Sequence, residues 1–297
     1  MPDLKFLTVK GTLPNYLDPQ MHLLSHLSNN CQAHLPHLVS LELGGKTLGV
    51  ALALSCLSVP LKADISLNII CGDGPIEDVQ VLLNILAHHV NHSGTEPVVI
   101  NDLLISTGSS LEINAYPSCG HGCISLEIHD VVATADLLQS YFKALPFRPI
   151  SAMEWHIGGS TLYTWEWQQI FGRLDSSTVT ITSLTFSGCF RPGNFCTFLC
   201  SASNILPEAD APLQPVNTAL LPLPALETLE FERSDFTREA CRQSLISAMQ
   251  LRKQVGKPLK WLTLAACLIP NDDDDEWLET LKGMVGNFEV EGTYNDD

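Results

Sequence analysis

Leu223–Leu264, LPALETLEFERSDFTREACRQSLISAMQLRKQVGKPLKWLTL, states one short phrase twice. Leu226-x-x-Leu229-x-Phe231 opens it, and Leu259-x-x-Leu262-x-Leu264 closes it 33 residues later. Strand side chains alternate between faces, so the fourth and sixth residues of the phrase share a face. The first leucine tucks in behind them. Between the copies, a helical run begins at the capping-type residues Ser234 and Asp235. One strand-plus-helix unit cannot bury its own apolar face and needs neighbours stacked on either side. Recurrence of the phrase therefore decides the fold.

The phrase recurs upstream as Leu4-x-x-Leu7-x-Val9 and Leu38-x-x-Leu41-x-Leu43. A degenerate copy places Asp64 before Leu67 and Ile69. Then come Ile100-x-x-Leu103-x-Ile105, Cys123-x-x-Leu126-x-Ile128, Ile150-x-x-Met153-x-Trp155 and Ile181-x-x-Leu184-x-Phe186. Starts lie 23 to 45 residues apart, longer and less even than regular leucine-rich repeats. The connecting segments predict helices over 18–27, 46–57, 76–90, 131–145, 161–174, 237–255 and 275–285. Asp18-Pro19 caps the first, and Gly256 followed by Pro258 stops the sixth. Two stretches break the rhythm. Residues 100–128 read as short antiparallel strands around glycine-rich turns, and 203–224 hold five prolines without periodicity.

The expected fold class is thus α/β: an irregular leucine-rich-repeat-like solenoid, parallel strands on one face and helices on the other. It spans 1–297 as a single domain, with a small antiparallel β insert at 100–128 and a Pro-rich loop at 203–224.

Hydrophobic residues make up 45 % of the 297 residues and aromatics 7 %, which predicts an aliphatic core. Charged residues reach only 16 %, below the usual quarter, so the net charge of −17 reflects scarce Lys and Arg. Such a charge disfavours nucleic acid and anionic membrane as partners and favours a basic protein. There is no signal-peptide pattern at the N-terminus and no run of 18 apolar residues. The ten scattered cysteines read as reduced, buried small hydrophobes of an intracellular protein, in cytoplasm or nucleus.

Motifs for chemistry are weak. Gly44-Gly45-Lys46-Thr47 ends like a phosphate-binding loop, yet the position needing the first glycine is Ser40, inside a predicted strand. Cys119-x-His121-x-Cys123 offers three soft ligands without a second pair and reads as a hairpin turn. No cofactor, metal or catalytic residue is expected. One constellation remains. The residue between the two core positions of each phrase faces away from the core: Thr8, Glu42, Asn68, Leu104, Glu127, Glu154, Thr185, Glu230 and Thr263. The next outward positions add His129, His156 and Glu232. Glu42, Glu127, His129, Glu154, His156, Glu230 and Glu232 are therefore the candidate partner-binding residues, a row suited to a basic peptide or protein.

About the last 75 residues resemble fungal F-box and leucine-rich-repeat proteins well, and nearly the whole chain does so loosely. LPALETLEFERSDF is followed by a helix with an R-x-x-x-G-x-P-L exit, matched by Arg252, Gly256, Pro258 and Leu259. An acidic tract then leads to a short final strand at 288–292. The resemblance implies a non-enzymatic protein-interaction domain similar to the substrate-recognition part of a ubiquitin-ligase adaptor. It departs at the other end. Such proteins carry an F-box before the repeats; nothing in this sequence supplies it, since the phrase begins at Leu4 and Leu13–Leu17 only echo one. Binding to a cullin-ligase linker is accordingly not expected. The alternative from a different class is a structural or vestigial repeat fragment without a dedicated partner.

Overall fold

The computed structural model describes residues 3–11, 32–60, 62–71, 76–92, 100–117, 122–130, 135–144, 152–157, 162–171, 181–188, 192–201, 221–270 and 276–292. The chain is α/β and divides into two compact units, Met1–Pro149 and Ile150–Asp297. The helix expected over 18–27 and most of the Pro-rich 203–224 loop lie outside the described residues. No helix among the described residues is long and apolar enough to cross a membrane.

In the first unit, strands β1 (Phe6–Val9), β3 (Ser40–Lys46), β5 (Asp64–Ile70) and β8 (Ile124–His129) run parallel in that spatial order. Strand β7 (Ser110–Pro117) then pairs antiparallel with β8, and β6 (Ile100–Thr107) pairs antiparallel with β7. A separate small parallel pair joins β2 (Ala33–His34) to β4 (Leu57–Ser58). Helices α1 (Thr47–Ser55), α2 (Ile76–His92) and α3 (Ala135–Ala144) supply the apolar cover. Strand β3 runs straight into α1 at Thr47, so Gly44-Gly45-Lys46 is strand and forms no phosphate-cradling loop. Gly122 marks a tight approach, because a Cβ there would strike the Ala63 backbone.

The second unit is more regular. Strands β9 (Ala152–Ile157), β10 (Ser183–Ser187), β11 (Thr228–Glu232), β12 (Trp261–Ala265) and β13 (Asn287–Glu291) are all parallel, and spatial order follows chain order. Among the described residues, one helix lies between each consecutive pair: α4 (Thr164–Phe171), α5 (Gly193–Leu199), α6 (Glu239–Gln254) and α7 (Glu276–Lys282). The core positions of successive phrases meet in register. Met153, Leu184, Leu229, Leu262 and Phe288 form one row, and Trp155, Phe186, Phe231, Leu264 and Val290 form the next. Rings from the helices close on these rows. Trp167 of α4 lies 4.9 Å from Trp155, and Phe195 of α5 lies 4.5 Å from Phe186. Phe186 also stacks on Phe231 at 5.6 Å. The expected aliphatic core is therefore, in this unit, substantially aromatic.

Strands β10 to β13 each end in a positive-φ bend. The residue after β10, β11, β12 and β13 has positive φ: Gly188 at 119°, Arg233 at 55°, Ala266 at 49° and Gly292 at 54°. Two of these carry a side chain in a conformation that favours glycine, so a repeated constraint must offset the strain. Backbone hydrogen bonds supply it. Gly188 N–H donates to Glu232 O at 3.2 Å, Arg233 N–H to Ala265 O at 2.9 Å and Ala266 N–H to Glu291 O at 2.6 Å. Just beyond, Ser234 and Cys267 are buried at equivalent places, and the Cys267 thiol donates to Phe231 O at 3.1 Å.

Helix α6 shows why this segment reads so cleanly. Asp235 accepts from the Thr237 N–H and hydroxyl at 2.9 and 2.6 Å, fixing the entry. At the other end Gly256 takes φ 73°, while Lys257 N–H returns to Arg252 O at 2.8 Å and Gly256 N–H to Lys253 O at 3.1 Å. That pair of bonds closes the helix as a Schellman motif. Arg252 does more than end the helix. It is buried, and its guanidinium donates to Pro222 O, Leu223 O and Leu226 O at 3.3, 3.2 and 2.7 Å. Burial lowers its pKa to about 10.

Phe186 touches rings on both neighbouring layers. Phe186→Ala is expected to destabilise the second unit by about 3–5 kcal/mol. Denaturant titration of the full chain, followed by tryptophan fluorescence, should show a transition at lower denaturant than the parent.

Candidate binding face

Alternation places the residues between core positions on the sheet face away from the packed helices. In the second unit they form a continuous row: Glu154, Thr185, Glu230, Thr263 and Glu289, one per strand. A second row holds His156, Ser187, Glu232, Ala265 and Glu291. Four expected residues, Glu154, His156, Glu230 and Glu232, are thereby brought onto one surface.

Their local chemistry differs. Glu154 Oε1 lies 2.7 Å from His156 Nε2, with both side chains substantially exposed. The Thr185 hydroxyl donates to Glu230 at 3.3 Å. Glu232 meets Arg233 at 2.9 Å. A hydrogen bond from Ser187 and the Arg233 charge hold the Glu232 carboxyl below its ordinary value, against an opposing push from burial.

The first unit carries Glu42, Glu127 and His129, and they do not form the single row the phrase predicts. Glu42 on β3 stands opposite Thr8 and Ser66, whereas Glu127 on β8 stands opposite Asn68 and Glu112. The β3–β5 pairing sets Gly44, two residues beyond Glu42, against Asn68. The degenerate third copy was thus aligned two residues out of register with the second. Leu104 lies on β6, which pairs with β7 and brings Leu104 opposite Asn114. Glu42 is engaged by Lys10 at 2.7 Å and by the Thr8 hydroxyl at 3.4 Å. Glu127 accepts from Asn68 Nδ2 at 2.8 Å and lies 3.3 Å from His129.

Sequence reasoning passed over Glu289, Glu291 and Trp261. Val285-x-x-Phe288-x-Val290 is a copy of the phrase, and reading it as such would have added both glutamates. Trp261 opens β12 on the outward side at 42 % exposure, while Trp155 and Trp167 in the core are at 0 %. Glu289 and Glu291 are exposed, and their carboxylates have no hydrogen bond or ion pair to another described residue.

Among the described residues, no three His, Cys, Asp or Glu side chains are grouped to hold a metal ion. Cys119 and His121 lie outside those residues. No family model, curated protein or solved structure matches the chain.

Because the folded Glu232 carboxyl releases its proton more readily than in the unfolded chain, it stabilises the fold above the ordinary carboxylate range. That contribution is lost as pH falls through the depressed value. Glu232→Gln should therefore lower the melting temperature at neutral pH, and the difference from the parent should shrink on acidification in scanning calorimetry.

Proposed function

We propose that the chain is a non-enzymatic protein-interaction domain of irregular leucine-rich-repeat type, similar in role to the substrate-recognition part of an F-box adaptor. The observation that carries this reading is the second unit's outward face. Five parallel strands in unbroken register present two rows away from the helices, the first with glutamates on alternate strands and the second with Glu232 and Glu291. The repeat assignment draws support from residues beyond the opening phrase. Regular repeats continue L-x-x-L-x-L-x-x-N/C-x-L. Here Ser234 and Cys267 fill that ninth position, both buried. The free, buried thiols of Cys196, Cys241 and Cys267 suit an intracellular setting.

The partner is a protein carrying a basic surface, since carboxylates dominate the outward rows and charge complementarity sets orientation and encounter rate. Glu42, Glu127 and His129 belong to the first unit and contribute through that unit's own face. Contact with a cullin ligase forms no part of the proposal.

The test is affinity capture with the full chain as bait, compared with a Glu127→Lys, Glu154→Lys, Glu230→Lys variant. Captured proteins identified with the parent should fall by about tenfold or more with the variant. Unchanged capture removes the acidic faces from the reading. Nothing captured above background by the parent favours a structural fragment instead, and turnover of a nucleotide or peptide by purified chain overturns the non-enzymatic assignment.

A further inference from the structure

We propose that the outward face of β9–β13 takes an extended, polyproline-type segment bearing a basic side chain at every third residue. The inference rests on the protein-binding reading above and adds the ligand's side-chain class and spacing.

The spacing comes from the row itself. Its carboxylates alternate strictly with threonines: Glu154 on β9, Thr185 on β10, Glu230 on β11, Thr263 on β12 and Glu289 on β13. Neighbouring strands lie about 4.8 Å apart, so acids on alternate strands repeat at about 9.6 Å. A polyproline II helix has three residues per turn and rises about 3.1 Å per residue, so one of its faces repeats at about 9.3 Å. A β-strand ligand repeats its face at about 6.7 Å and falls out of step by the second acid. The periods match for the first geometry and fail for the second.

The side-chain class comes from what flanks the troughs over the threonine strands. The trough along β12 lies between Glu230 and Glu232 on β11 and Glu289 and Glu291 on β13. Its start is closed by Trp261, exposed on the same face and two residues before Thr263. Carboxylates on both sides and an indole at one end suit a guanidinium or ammonium group, which is attracted by the charges and by the ring face. The nearby cations are already engaged, Lys260 with Glu227 at 2.7 Å and Arg233 with Glu232 at 2.9 Å. Glu289 and Glu291 have no such partner among the described residues. The matching trough along β10, between Glu154 and Glu230, takes the next basic side chain.

The test titrates the full chain into a labelled peptide of about nine residues, Arg-Pro-Ser repeated, and follows anisotropy. A second peptide of identical composition has its arginines contiguous. The spaced peptide should bind about tenfold tighter and weaken with added salt. Trp261→Ala and the Glu230→Gln, Glu289→Gln pair should each weaken it severalfold to tenfold, and Trp261→Phe should restore most of the Trp261→Ala loss. Trp165→Ala, at an exposed indole elsewhere, should change nothing.

Equal binding of the two peptides overturns the spacing, and indifference to Trp261→Ala and to the paired Glu→Gln change overturns the site. Preference for a glutamate-containing peptide, or a self-associated chain that the spaced peptide does not compete with, assigns the face to another occupant and also overturns it. If neither peptide binds while charge reversal still abolishes capture of a protein, this inference falls and the protein-binding reading stands.

Discussion

The register between parallel strands is the constraint on which the second unit depends. A shift by one residue would exchange every inward side chain for an outward one. With the observed alignment, Trp155 and Phe186 meet the rings of α4 and α5, Phe231 meets Phe186 and Phe236, and the glutamates face away from that core. The left-handed exits at Gly188, Arg233, Ala266 and Gly292 hold that alignment, since each of the first three bonds to the last residue of the next strand. Core, turn and outward rows thus follow from a single geometric condition.

Much of this was legible in the chain, because a six-residue apolar phrase needs only its own strand to be read. Every core pair it picked out lies on a strand, from Leu7 and Val9 to Leu262 and Leu264. What it could not convey is a relation between strands. Glu42 and Glu127 look equivalent within their own phrases, yet the β3–β5 pairing places them in different rows. Arg252 shows a second limit. At the exit of α6 it looks like a helix-ending cation, but its guanidinium reaches carbonyls some thirty residues upstream, which no local pattern records. Trp261 was hidden by its place just before a core leucine, where an aromatic reads as more core.

The outward acids are not equally engaged. In the first unit, Glu42 and Glu127 are each held by neighbouring side chains, Lys10 and Thr8 in one case, Asn68 and His129 in the other. In the second, His156 holds Glu154, the Thr185 hydroxyl holds Glu230 and Arg233 holds Glu232, while on the last strand Glu289 and Glu291 stand exposed. A basic ligand therefore displaces fewer existing contacts on β13 than on β3, β8 or β11.

Arg252 has a consequence for how the molecule responds to its medium. Its charge is buried against backbone carbonyls and stays protonated until pH nears about 10, so dissolved ions have little access to it. The outward glutamates sit in solvent, where ordinary changes in ionic strength screen them strongly. Salt can therefore tune the face while leaving its support untouched, which separates the adjustable part of the second unit from the part that must not vary.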